Sequence, residues 1–508
     1  MSGNLYHQLH AAFEEAGDGV AFDVPGGVRT TYRELIHRVA RMSAALKSLG
    51  IGPGDRVMAQ IEKSLGGVTL YLATLKVGAI YNPLNTAYTP AELAYFIADS
   101  EPGLLVIDGG RVGEARSVAG NGRVREIHTL CPDGSGSLAD LAKTKPPDFA
   151  IAEVAPGDTA SLVYTSGTTG RSKGAMITHD NLLSNARALL DIWGFSAGDV
   201  LLHALPIFHV HGLYVALNTA FLNRSRIIWL TRFEIDTILD GLKQATVMMG
   251  VPTFYTRLLA AERFGSELCA NMRLFISGSA PLLAETHHAF EARSGHRILE
   301  RYGMTETGMI ASNPLSRDGR IAGTVGYALP GVDVRLRSEA GAALPAGEVG
   351  VLEVKGPNVF AGYWRKPDLT AGEFRDEGYF ITGDLATMAA DGRVTIVGRA
   401  KDLIICGGYN IYPKEIEKEI DALPGIGESA VIGVPHPDLG EAVVAAVTAS
   451  GDGAFPGEAA IIGRIAPRLA RFKLPRRVFE IAELPRNAMG KVQKSELRAR
   501  FSATFEER

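Results

Sequence analysis

An α/β architecture is predicted: a large N-terminal domain of layered αβ subdomains carrying a small β-rich subdomain, followed by a small α+β C-terminal domain. Three observations predict it. Helix-spaced and strand-like apolar runs alternate through the first three hundred residues, short strands between turn residues fill roughly 323–398, and alternation resumes after Gly398-Arg399-Ala400-Lys401-Asp402. The chain of 508 residues exceeds what one core supports, and 46% hydrophobic residues supply several. The expected division is 1–400 and 401–508, with the cut near Lys401.

In chain order, Thr31 and Glu34 form a capping box ahead of Leu35, Val39, Met42 and Leu46 at helical spacing, with Gly50 to close the helix. A strand at Val57 to Ile61 follows. Thr89-Pro90 with Glu92 marks a second helix start, and Leu104 to Ile107 and Ser161 to Tyr164 are apolar enough for buried strands. Segments 331–336 and 351–354 give the β-rich texture. Pro413 opens a helix through Ile420, a strand spans Ser429 to Val434, and Gly451 to Gly457 is an exposed loop.

With 52 basic and 56 acidic side chains, the net charge of -4 gives no whole-protein attraction to nucleic acid or an anionic membrane. Cys131, Cys269 and Cys406 are widely spaced and contain no CxxC pair, so a zinc site or disulfide framework is not expected. No apolar run spans a bilayer and the N-terminus lacks a signal pattern, so a cytoplasmic location is expected.

Chemistry begins at Tyr164 to Gly174. Thr165, Ser166, Gly167, Thr168, Thr169, Gly170 and Lys173 combine glycines that admit close backbone approach, hydroxyls that donate to phosphate oxygens, and a neutralising cation. A Walker A loop is excluded, because Lys173 precedes Gly174 and no hydroxyl residue follows it. The pattern points to nucleotide phosphates without fixing the reaction.

This segment resembles the phosphate loop of the adenylate-forming superfamily, which holds acyl-CoA synthetases, peptide-synthetase adenylation domains and firefly-type luciferases. Four further blocks extend the resemblance over nearly the whole chain. Arg301-Tyr302-Gly303-Met304-Thr305-Glu306-Thr307 is similar to the adenine and metal motif, and Tyr379 to Asp384 to the ribose motif. Gly398 to Asp402 is similar to the hinge, and Pro485 to Lys491 to the catalytic-lysine motif.

The resemblance implies activation of a small carboxylic acid by ATP and Mg²⁺, then transfer to coenzyme A. Bringing a carboxylate oxygen to the α-phosphorus joins two anions, so the site needs positive charge and positioning, not a protein nucleophile. Lys491 is then the lysine that bridges carboxylate and α-phosphate. Glu306 has the hard oxygen for Mg²⁺, Tyr302 an aromatic face for adenine, and Asp384 acceptors for the ribose hydroxyls, with Arg399 supporting sugar or phosphates. The C-terminal domain is implied to swing about Lys401, with Gly407 and Gly408 in a pantetheine tunnel, and Arg471, Lys473, Arg476 and Arg477 are either contacts for the CoA phosphates or a solvated helix end.

For the acid, His209, His211 and Arg257 lie in apolar surroundings, and because an unpaired buried arginine is costly, Arg257 is expected to have an anionic partner or to reach solvent. These segments, with Ser277, Gly278 and Ser279, resemble the malonyl-CoA and methylmalonyl-CoA synthetase branch, which implies a short dicarboxylate. The alternative is that Arg257 pairs with a protein carboxylate and His209 gates or packs. Ala488 stands where that branch commonly has a hydroxyl residue. Other readings are a synthetase for another short acid, an enzyme loading a carrier protein, or a catalytically dead sensor, against which Lys173, Glu306, Asp384, Arg399 and Lys491 are all present. A lysine acyltransferase and deacetylase acting on Lys491 are further candidate partners, since acylation would erase its charge.

Overall fold

The computed structural model describes residues 3–120, 124–165, 172–338, 340–406, 409–437, 439–450, 455–469, 471–487 and 490–505. Of the expected site residues, Ser166, Gly167, Thr168, Thr169, Gly170 and Gly408 lie outside these ranges, as do Gly407 and Ala488.

Local sequence signals translate directly into elements. Thr31 caps the helix Tyr32–Ser48 and Thr89 caps Pro90–Ser100, each with the reciprocal glutamate bond of a capping box. The apolar run Leu104–Ile107 is a fully buried strand with those bounds. A six-stranded sheet runs Glu126–Thr129, Leu104–Ile107, Arg56–Gln60, Ile80–Pro83, Thr159–Thr165, Lys173–Thr178, parallel until its last, antiparallel pair. Helices cover such parallel strands, which explains their continuous apolar composition.

A nine-stranded sheet lies beside it. From one edge its strands are Tyr327–Ala328, Gly308–Ser312, Leu299–Met304, Leu274–Ser277, Val247–Gly250, Val200–His203, Arg226–Trp229, Val20–Asp23 and Arg29–Thr31. Its centre is parallel, so the ends of Leu274–Ser277 and Val247–Gly250 open on the same side, where ligands bind in open α/β sheets.

The β-rich region is a four-stranded antiparallel sheet of Asp333–Arg337, Gly350–Lys355, Phe380–Met388 and Val394–Arg399. Beyond it, Ile426–His436 and Gly440–Ala449 form a long antiparallel ladder flanked by Ile404–Cys406, Tyr409–Ile411 and Arg477–Glu480. Two apolar clusters, around Val431 and around Ile432, draw only on residues from Ile404 onward, while the remaining clusters draw only on residues before it. The large N-terminal and small C-terminal α/β architecture is thus present. Among the described residues no helix is long and apolar enough to cross a membrane.

Candidate active site

Thr165 and Lys173 face each other across the antiparallel pair that bounds the phosphate loop. Lys173 is only 5% exposed. Its ammonium lies 3.4 Å from Glu373 Oε1 and 4.7 Å from the centre of the Tyr363 ring. The Tyr363 hydroxyl donates to Glu306 Oε1 at 3.1 Å, and the Thr165 hydroxyl donates to the same oxygen at 3.3 Å. Glu373 and Tyr363 were not anticipated from the sequence; their only signal is polarity just upstream of the ribose motif.

Glu306 sits on the turn joining Leu299–Met304 to Gly308–Ser312, together with Thr305 and beside Gly303 and Met304. Its carbonyl accepts from Phe360 N at 2.8 Å, and the Asn185 side chain brackets Met309 just beyond the turn. Burial raises the Glu306 pKa, while the bonds from Tyr363 and Thr165 and the Arg399 charge pull it back. A buried carboxylate of this kind regains its charge beside a hard cation, so its chemistry fits Mg²⁺.

Asp384, on Phe380–Met388, is held by Arg399 on the neighbouring strand, with Nε 2.6 Å from Oδ1. Its other oxygen accepts from the Tyr302 hydroxyl. Tyr302 therefore bonds to Asp384 as well as offering a ring face. A carboxylate has about four lone-pair sites, so two protein donors leave acceptor capacity for ribose hydroxyls.

Lys491 reaches this region from the C-terminal side. Its loop is closed by Lys491 N to Asn487 Oδ1 at 3.0 Å and Gly490 N to Asn487 O at 2.8 Å. Arg486 binds both the Gly490 carbonyl and Glu428, bracing the loop on the ladder. A Cβ at Gly490 would lie 3.5 Å from Thr253, so the loop rests against the helix Pro252–Ala260. Confinement by protein lowers the Lys491 pKa, Arg399 and Lys401 push it the same way, and Asp384 and Asp402 oppose them. The lysine nonetheless keeps access to solvent, so this is a crowded cleft and not full burial. Lys401 is exposed on the short turn Ala400–Asp402, whose Asp402 pairs with Arg498 at 2.6 Å. Within the basic cluster, Lys473 is bound by Glu415 and Arg477 by Glu458.

Where the acid is expected, Ser277 ends its strand with a buried hydroxyl that has no partner among the described residues, and Ser279 adopts a left-handed backbone with φ +71°. Such strain in a side-chain-bearing residue persists only where surroundings enforce it. Ser279 Oγ lies 3.2 Å from His211 Nδ1, on the π-helical segment His211–Asn218. His209 is next to it, its Nδ1 3.3 Å from His211 N. Burial, with Arg301 adding to it, depresses both imidazole pKa values, that of His209 to about 4. Neither histidine supplies charge at neutral pH.

Arg257 reaches solvent, its guanidinium 5.8 Å from the Phe233 ring centre, so of the two expected outcomes it takes the one that needs no anion. The buried arginine is Arg301, which is 4% exposed and whose buried Nε and Nη2 have no hydrogen-bond partner among the described residues. A Cβ at Gly278 would come within 2.3 Å of this guanidinium, so the glycine makes room for it. Burial pushes the Arg301 pKa down to about 9, which leaves it charged at neutral pH.

A buried lysine, Lys63, whose pKa burial pushes well down, braces the histidine segment. Its ammonium lies 2.8 Å from His203 Nδ1 and 4.3 Å from the Trp229 ring centre, and His203 Nε2 donates to Gly212 O at 2.9 Å. Gly212 approaches so closely that a Cβ would meet Pro206 O at 2.1 Å.

Residues 9–364 match the AMP-binding enzyme family and 415–491 match the AMP-binding enzyme C-terminal domain. The chain belongs to the AMP-binding enzyme family. It is similar to ATP-bound MatB from Rhodopseudomonas palustris, with 50% identity over 100% of both chains and a TM-score of 0.97; apo MatB, at the same identity and coverage, gives 0.84. Feruloyl-CoA synthase from Amycolatopsis sp is 36% identical over 94% of this chain and 95% of its own. Malonate--CoA ligase from Arabidopsis thaliana is 34% identical over 98% of this chain and 89% of its own. The protein is an adenylate-forming acid-thiol ligase whose substrates are a small acid, ATP and CoA.

Proposed function

We propose that the acid is malonate, with methylmalonate as a second substrate, and that the products are the acyl-CoA, AMP and pyrophosphate. The observation that carries this reading is Arg301, a buried guanidinium that lies against Gly278 and whose Nε and Nη2 have no partner among the described residues. Leaving such a charge unmatched is costly, and the distal carboxylate of a short dicarboxylate would satisfy it with charge-assisted, bidentate hydrogen bonds. An apolar chain or an aromatic ring would leave it orphaned.

In the first step a malonate carboxylate oxygen attacks the α-phosphorus of ATP and pyrophosphate leaves. Lys491 bridges the two reacting anions, while Lys173 receives charge on the departing phosphates. Asp384 with Tyr302 and Arg399 orients the ribose. Glu306, with the Thr165 hydroxyl beside it, would hold Mg²⁺, which neutralises phosphate charge when bound. In the second step the CoA thiolate attacks the acyl carbonyl and AMP leaves, after the C-terminal domain, divided from the rest near Lys401, turns Lys491 away. The higher similarity to ATP-bound than to apo MatB, at equal identity, supports reading this arrangement as the adenylating one. Lys491, accessible to solvent, would lose its bridging charge on acylation.

A panel of acids assayed with ATP, Mg²⁺ and CoA, following pyrophosphate and thioester separately, tests the reading. Malonate is expected to be turned over best. Faster turnover of acetate, ferulate or a long-chain acid would overturn it.

A further inference from the structure

Glu373 is an anomaly in a site built for polyphosphate. It ends the short helix Pro367–Gly372, and its backbone carbonyl is fixed by Ile381 N at 2.8 Å, just ahead of Asp384. Its carboxylate points at Lys173, at 3.4 Å, and is about one-third exposed, while the Lys173 side chain is 7% exposed. Among the described residues the ring of Tyr363 also faces the ammonium, at 4.7 Å, and its hydroxyl donates to Glu306. An anion beside the ATP phosphates repels them. A buried ammonium without a counter-charge would be equally unfavourable when the phosphates are gone.

Resting on the proposed role of Lys173 at the departing phosphates, we infer that Glu373 is the exchange counter-charge of that lysine. In the free enzyme Glu373 neutralises Lys173. ATP displaces it, and when pyrophosphate has separated from the adenylate Glu373 takes the lysine back, which weakens the hold on pyrophosphate. The carboxylate thus lowers affinity for both ATP and pyrophosphate, and turnover gains because product leaves. The 3.4 Å separation and the partial exposure of Glu373 suit a contact made to be exchanged: a close, fully buried pair would compete too strongly with phosphate.

This inference predicts effects opposite in sign to those of a structural or ligand-holding residue. Glu373→Gln in the full-length enzyme should lower the KM for ATP and the inhibition constant of pyrophosphate by about threefold or more, on the scale of a partly exposed ion pair. Its turnover without pyrophosphatase should stall earlier than that of the wild type, and pyrophosphatase should restore it. Glu373→Ala gives the same signs should the glutamine variant fold poorly. In a Lys173→Gln background the Glu373→Gln change should have a clearly smaller effect, because competition for the lysine is gone and only the direct repulsion of phosphate remains. Unchanged or raised constants for Glu373→Gln would overturn the inference, a rise meaning that Glu373 holds metal or architecture. If Lys173→Gln itself alters neither constant, the underlying reading of Lys173 fails; if it raises both while Glu373→Gln does nothing, only the exchange role fails.

Discussion

On the nucleotide side of the cleft the charges come in pairs: Arg399 with Asp384, Lys173 with Glu373, and Glu306 with two hydroxyl donors. On the side proposed for the acid, Arg301 has two nitrogens, Nε and Nη2, with no partner among the described residues, and burial lowers the pKa values of the nearby imidazoles. On the reading proposed above, the nucleotide side is prepared for exchange, since ATP brings many charges and must also release them, and the acid side for capture, since the distal carboxylate of a dicarboxylate would pair with Arg301. Specificity for the acid would then reside in that single ion pair.

The largest expected effect breaks the link between the two sides. Lys491→Ala should reduce adenylate formation by about three orders of magnitude or more while sparing thioester formation from preformed acyl-AMP, measured in half-reactions. Equal loss in both would remove Lys491 from the first step alone. Next, Gly278→Ala puts a methyl where the Arg301 guanidinium lies, and should cost roughly 10- to 100-fold in kcat/KM for malonate with the melting temperature little changed.

A stability prediction comes from the neighbour of Arg301 in the same strand. Burial raises the Glu300 pKa to about 8 from an ordinary value near 4.5, against the pull of its bond from Gly323 N and of Lys414. The folded protein therefore holds a proton that the unfolded chain releases first, so this group's contribution to stability is complete below pH 4.5 and is lost as pH rises to about 8. Glu300→Gln should melt higher than the wild type at pH 8 by a few degrees, with the gap closing toward pH 4.5. A gap that widens on acidification would contradict it. The smallest effect is expected for Arg257→Ala: exposed beyond the pocket, it should change kcat/KM for malonate and for propionate alike, by less than about twofold.

Local chemistry was legible in the sequence wherever one residue's role is set by its near neighbours. Capping boxes at Thr31 and Thr89, the strand at Leu104–Ile107 and the helix from Pro413 follow from rules that span a few positions. The residues expected on the nucleotide side come in contiguous blocks, and the structure brings the described ones, Thr165 with Glu306 and Asp384 with Tyr302 and Arg399, into contact. Roles set by long-range packing were not legible. Arg257 and Arg301 each stand within a segment that reads as regular structure, and only the fold exposes one and buries the other. A signal did exist: Glu300 and Arg301 place two charges in a strand that lies between Leu274–Ser277 and Gly308–Ser312, where apolar residues are the rule. Glu373 and Lys63 gave less warning, since their partners Lys173 and His203 are 200 and 140 positions away.

The central claim, that Arg301 captures the distal carboxylate, is tested most directly by the ratio of kcat/KM for malonate to that for propionate in the wild type and in Arg301→Met. Methionine keeps most of the volume and removes the charge, so the ratio should fall by about 30-fold or more, chiefly through loss of malonate activity. A variant that loses both acids equally, with the ratio unchanged, would make Arg301 a structural residue and contradict the account.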